Sequence, residues 1–467
     1  MTSSTSRRLD RVSNAVLGIA AGWLALLFAI ELLLTWGVGK WGAILLIGAV
    51  LCAGGLLLGS QHKINLALVV GSLGCSLYAA ELALFVRNRE VIEGMSAAQV
   101  VELLRGQGVD AYPVAPPAAY IESDGVVREG RRIFPLSGVA RKTTVYCRES
   151  GRYVIYRSDR HGFNNEDDVY ETSADVVLIG DSFAHGACVQ PKENLGGRMR
   201  ELGWKVLNLG YAGNGPLLEL GTLVEYASAM RPRTVLWLYF EGNDIQNLES
   251  ERRSRTLLGY LQAGFTQRLI VRQSEITPLV ANFIDEGQKS RPALVRALDS
   301  RTGLILRLLN LRYLVTTTLW AIPTFGAVAY PDEEAGVFAV FEETVRQAQR
   351  VARSWGGQLY FVYLPDSLRY RSGVDHARLH RRSKVLSSVR SMQIPVVDFH
   401  ETVLALTDPT AVYSYVGAHF SPAGYALLAR TISESLKRKA AQAPFATPSP
   451  LTRSCAAPGS PSRCGTL

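Results

Sequence analysis

The sequence predicts an α/β protein: three layers, α/β/α, around a parallel sheet, preceded by N-terminal transmembrane helices and a small β-containing segment. Three observations carry this. Strand-like apolar runs alternate with helix-like segments over residues 173–438. Three long apolar runs fill the first 90 residues. Between these regions lies a short stretch with a hairpin signal.

The apolar runs cover residues 15–36, 41–59 and 64–86, and each is about long enough to cross a bilayer core as a helix. The first is too long for the apolar part of a signal peptide and lacks a small-residue cleavage site, so it reads as a retained anchor. Arg7, Arg8 and Arg11 favour a cytoplasmic N-terminus, with Lys63 on the same side. Lys40, Arg87 and Arg89 fall on the other side. Three spans then place the large domain outside the inner membrane. Glu31 and Glu81 sit toward the outer ends of their spans, where a carboxylate either reaches the interface or serves a function.

The segment 91–172 opens with a helix signal at Ala97–Leu104 and a Pro-rich hinge at Pro113–Pro117. Thr143–Tyr146 and Tyr153–Tyr156 read as strands flanking a Glu149-Ser150-Gly151-Arg152 turn. Of the six cysteines, Cys52 and Cys75 fall in the spans, and Cys147, Cys188, Cys455 and Cys464 follow them. An even number outside the membrane permits disulfides, Cys147 with Cys188 among them. No C-x-x-C or zinc spacing is present.

In the main domain the strand candidates are Val176–Ile179, Lys205–Leu209, Thr234–Phe240, Gln358–Tyr363 and Pro395–Asp398. Helices are expected at Glu193–Glu201, Leu217–Ala229 and Val337–Trp355. The alternation stops over 247–331, where Arg252–Arg272 and Pro292–Trp320 read as amphipathic helices. This insertion follows a strand end and is expected to form a lid or wall near a site. Residues 439–467 read as a disordered tail rich in Ala, Pro and Ser. The net charge of +9 comes mostly from scattered residues, and no nucleic-acid-binding motif is visible.

Four blocks carry chemistry. Gly180-Asp181-Ser182 breaks the first strand, placing a serine hydroxyl at the strand's carboxyl end beside a helix N-terminus. Taken singly, such a serine is as readily a helix N-cap. Asn208 to Pro216 holds three glycines, which let backbone N–H groups face a bound group or simply make a tight turn. Glu241-Gly242-Asn243-Asp244 follows the third strand, where an asparagine amide is able to face an oxyanion. His419 precedes a Ser-Pro helix start. His185 reads as a wall residue on a segment leading away from the serine.

Together these blocks resemble the SGNH (GDSL-like) hydrolases over roughly Asp175–Leu436. The resemblance implies a flavodoxin-like sheet, Ser182 as nucleophile and His419 as its base. It also implies an oxyanion hole from the Ser182 N–H, the Gly213 N–H and the Asn243 side chain, supported by Gly180, Asp181, Gly242 and Asp244. No cofactor or metal is implied. The sequence departs from the family at Val416, where an aspartate usually precedes the histidine by three residues. Asp408, Asp398 and Asp366 are candidates to orient His419 instead, and Asp408 is nearest. The expected function is a membrane-anchored serine esterase or O-acyltransferase acting on ester-linked acyl groups of an envelope glycan or lipid. The alternatives are a non-catalytic binding module in a polysaccharide export or modification assembly, and a membrane acyltransferase in which Glu31 or Glu81 serves the donor.

Overall fold

A computed structural model describes residues 3–35, 40–87, 96–128, 130–149, 153–290, 293–298, 301–318, 333–370, 377–414 and 419–442. The strands in chain order are β1 (Ala111–Pro113), β2 (Val126–Arg128), β3 (Arg131–Ile133), β4 (Thr143–Val145), β5 (Ile155–Arg157), β6 (Val176–Gly180), β7 (Val206–Asn208), β8 (Thr234–Phe240), β9 (Gln358–Leu364) and β10 (Val396–Asp398).

The central sheet has the order β10-β9-β8-β6-β7, and every pairing is parallel. Counted within this sheet, the order is 2-1-3-4-5, the flavodoxin-like arrangement. The strand order reverses between β6 and β8, and the carboxyl ends at such a switch point are where open sheets of this kind place their sites. Alternation along each strand divides the core. Val177, Ile179, Val235 and Trp237 face one apolar layer with Leu217, Leu220, Phe341 and Val345. Val176, Leu178, Leu236 and Leu238 face the other with Leu195, Met199, Leu428 and Ile432.

The predicted strands recur within a residue or two of their expected ends. The helix expected at Leu217–Ala229 starts at Pro216 and changes to a π-helical turn over Leu223–Ala227. The expected helix Arg252–Arg272 does not form as one unit. Its span holds only the short helix Arg255–Gly259, just past the end of Asp244–Glu251, and a 3-10 turn at Leu269–Val271. Ser254 starts a fresh cap there, its Oγ accepting the Leu257 N–H at 3.1 Å.

In front of the domain, β4 and β5 form the antiparallel hairpin expected, with Thr144 opposite Tyr156. Helices α1 (Ser3–Thr35) and α3 (Ser60–Arg87) are long and apolar enough to cross a membrane. The middle run forms α2 (Lys40–Gly55), whose 16 residues fall short of the usual span.

Residues 301–318 of the insertion lie against α1 and α3, away from the role of a lid. Glu81 is fully buried and accepts the Asn310 N–H at 3.1 Å, the Leu311 N–H at 2.7 Å and the Asn310 amide at 2.8 Å. Glu31 pairs with Arg312 at 2.8 Å. Both carboxylates are therefore held by the insertion rather than reaching for an interface. The expected tail beyond residue 442 and position Val416 lie outside the described residues.

Candidate active site

Ser182 begins a single helical turn, Ser182–His185, directly after β6. Asp181 caps that turn, its Oδ1 accepting the Phe183 N–H at 2.9 Å. Asp181 is fully buried, and burial pushes its carboxyl up to about 6. At Gly180 a Cβ would lie 3.0 Å from both Ala184 Cβ and Leu238 Cβ, so the turn packs tightly onto β8.

His419 approaches from the loop before the helix Pro422–Gln442, and its Nε2 lies 2.9 Å from Ser182 Oγ. Its other nitrogen, Nδ1, lies 2.5 Å from Glu149 Oε1. With Nδ1–H donating to the carboxylate, Nε2 presents a lone pair to the serine hydroxyl. Glu149 Oε2 accepts the Ser414 hydroxyl at 2.8 Å and the His419 N–H at 3.4 Å. Burial alone would raise the Glu149 carboxyl, but the His419 ring and these donors outweigh it and lower it.

This corrects the expected orienter. Asp408 is exposed and binds Thr410 through its N–H at 2.9 Å and its hydroxyl at 2.6 Å. Asp398 pairs with Arg382, and Asp366 accepts the Leu368 N–H at 2.9 Å. Sequence reasoning read Glu149 only as a turn residue. The available signal was Cys147, two positions earlier. Cys147 is disulfide-bonded to Cys188, with a Cα–Cα distance of 5.1 Å. Cys188 Sγ lies within 4.8 Å of carboxylate and ring atoms of Glu149 and His419. The bond thus fastens the carboxylate's loop beside the Ser182 turn.

Gly210 and Gly213 have different roles. A Cβ on Gly210 would lie 2.2 Å from Ala184 Cβ, and its N–H is already bonded to Asn208 Oδ1 at 3.0 Å. Gly213 has φ +78 and makes no hydrogen bond through its N–H among the described residues. It lines a cavity of about 180 Å³ with Glu122, Asn247, Ser250 and Arg253. Asn243 precedes the helix Asp244–Glu251, and its Oδ1 is buried without a partner. Gly242 lets that turn close, since a Cβ there would lie 2.3 Å from the Phe240 ring. Asp244 Oδ2 accepts the Phe240 N–H at 2.9 Å, which fixes the turn from below.

Beneath these ends sits a layer of buried carboxyls. Burial pushes Glu219 and Asp244 well above the usual carboxylate range, and neighbouring acids add to it. Burial likewise lifts Glu251 to about 7, although it accepts the Gly215 N–H at 2.6 Å and the Leu217 N–H at 2.8 Å.

No family model and no curated protein matches this chain. Several solved structures are similar to it. One is a putative lipolytic protein of the G-D-S-L family from Desulfitobacterium hafniense, 16% identical over 56% of this chain and 97% of that one, with a TM-score of 0.31. Another is a lipase/acylhydrolase from Enterococcus faecalis, 15% identical over 56% of this chain and 95% of that one, with a TM-score of 0.32. The fold assignment rests on the sheet order and core layers of this chain.

Proposed function

We propose that this chain is an SGNH-type serine esterase or O-acyltransferase, anchored in a membrane by its N-terminal helices. The observation that carries the reading is the relay from Ser182 Oγ to His419 Nε2 at 2.9 Å and from His419 Nδ1 to Glu149 at 2.5 Å.

Ser182 Oγ attacks an ester carbonyl while His419 Nε2 takes its proton. The carbonyl oxygen becomes an oxyanion facing the Ser182 N–H, the Gly213 N–H and the Asn243 amide. The intermediate collapses, and the leaving alcohol takes the proton back from His419. An acyl-serine remains. Water or an acceptor hydroxyl then attacks it with His419 again as base, which releases the acyl group and restores Ser182. Glu149 holds the imidazole in the productive tautomer and stabilises its charged form.

Two apolar helices and a disulfide beside the site favour an oxidising, envelope-side location. The substrate class that fits this placement is an O-acylated glycan or a lipid ester at an inner membrane. The non-catalytic reading drew on Val416, and Glu149 removes that support.

The test uses the full chain in detergent, with and without Ser182→Ala, against p-nitrophenyl acetate and a serine-directed phosphonate. Turnover and labelling are expected in the parent and neither in the variant. A folded parent that does neither overturns the catalytic reading. Adding a glycan acceptor then separates transfer from hydrolysis.

A further inference from the structure

We infer that His185 is a positioning residue for the oxyanion-binding loop, acting through the Ala212 N–H. The inference rests on the esterase reading above. His185 is fully buried, and its Nδ1 accepts the Ala212 N–H at 3.1 Å. An accepting Nδ1 on a neutral ring leaves the proton on Nε2, which donates to Tyr156 Oη at 2.6 Å. Burial holds the ring neutral, lowering its protonation to about 3, so this tautomer persists across the working pH range.

The ring has little freedom. Tyr146 stacks on it at 4.3 Å between centroids, and Tyr211 lies against it at 4.7 Å. Its own carbonyl accepts the Asn164 amide at 3.1 Å. What it fixes is the Tyr211–Ala212 peptide, one before the Ala212–Gly213 peptide that carries the Gly213 N–H. The Tyr211 N–H is held by the Gly180 carbonyl at 3.0 Å, and the Asn214 N–H by the Tyr211 carbonyl at 3.2 Å. Positions 211, 212 and 214 are therefore pinned around Gly213, whose N–H is unbonded and whose φ is +78. Without the acceptor at position 185, the half-buried Ala212 N–H loses its partner, and the loop turns to find another.

The partners of His185 give the hairpin a double role. The segment after β4 carries Tyr146 to His185 and Glu149 to His419, and β5 carries Tyr156 to His185. One element thus sets both the base and the oxyanion loop.

The experiment exploits the two nitrogens. His185→Asn places an amide oxygen at the Nδ1 position, where it accepts the Ala212 N–H. His185→Gln places its amide near Nε2 and leaves that N–H unpaired. His185→Phe removes both. The full chain and Ser182→Ala are assayed beside them with p-nitrophenyl acetate, and thermal melts check folding. Loss of an oxyanion donor costs about 10²–10³ in kcat. His185→Phe and His185→Gln are expected to lose about that much with KM within threefold, and His185→Asn to stay within about tenfold of the parent. If His185→Phe does not fold, the Asn and Gln pair decides. Equal kcat in Asn and Gln variants, beside Ser182-dependent turnover in the parent, overturns this inference alone. Turnover in the parent that does not depend on Ser182 overturns the esterase reading and this inference with it.

Discussion

Glu149 and His419 stand 270 residues apart in the sequence and 2.5 Å apart in the fold. The carboxylate comes from the segment that follows β4, in front of the main domain and outside the central sheet. Replacing Glu149 with Gln keeps the shape and removes the charge that holds the imidazole. We expect kcat to fall by about 10²–10⁴ with little change in KM. Asp408→Ala should leave kcat within twofold, since Asp408 serves only Thr410. Steady-state kinetics on both variants check this. Equal losses would return Asp408 to the site.

The Cys147–Cys188 bond should matter to rate as well as stability. It ties the Glu149 loop to the segment after the nucleophile. Reduction, or Cys147→Ser, frees that loop to drift by about an ångström, and a misplacement of that size costs on the order of 10² in rate. Titrating activity against thiol content under graded reduction is the measurement. Activity that survives full reduction would show that the hairpin packs well enough alone.

On the proposed reading, in which the Asn243 amide acts on charge that appears only in the transition state, Asn243→Ala should lower kcat by about 10²–10³ with KM nearly unchanged. A rise in KM at constant kcat would assign it to substrate binding instead.

Acid should destabilise the fold through His185. Its protonation is lowered from the usual 6.5 to about 3 by burial. Below pH 6.5 the unfolded chain binds a proton that the folded chain refuses, so this contribution is present above that pH and declines as pH falls toward 3. Between pH 7.5 and 4.5 the loss is on the order of 2–3 kcal/mol. The stability gap between parent and His185→Asn should narrow by that amount over the same interval, as read by denaturant melts. A gap independent of pH would mean that the ring is hydrated.

Arg312→Met should loosen residues 301–318 from α1, because it removes the ion pair that ties them to Glu31. Breaking a buried pair from one side costs about 3–5 kcal/mol. Limited proteolysis within the insertion should accelerate, and Glu31→Gln combined with Arg312→Met should recover part of the protection.

The sheet was legible because its strands are nearly unbroken apolar runs such as Val176–Ile179, which only a parallel sheet covered on both faces accommodates. The pairing of Ser182 with His419 was legible because each sits next to a strand end or helix start that the sequence marks, while Gly213 and Asn243 are proposed donors on the same grounds. Glu149 was not, because a carboxylate in a turn looks like any solvated residue until the disulfide brings it inward. The placement of residues 301–318 was hidden for a related reason. An apolar helix signals that it must be covered, and nothing in its own sequence names α3 as the cover. His185 read as a wall, and its hydrogen bonds depend on Tyr156 and Ala212 arriving from distant segments.

The scattered origin of the relay also sets a clock. A ribosome makes Glu149 first, Ser182 next and His419 last of the three. No nascent fragment that stops before residue 419 holds all three. The hairpin must wait for His419 before its carboxylate has an imidazole to hold. On the esterase reading, competence therefore arrives in one step, and a chain cut short of that histidine is silent.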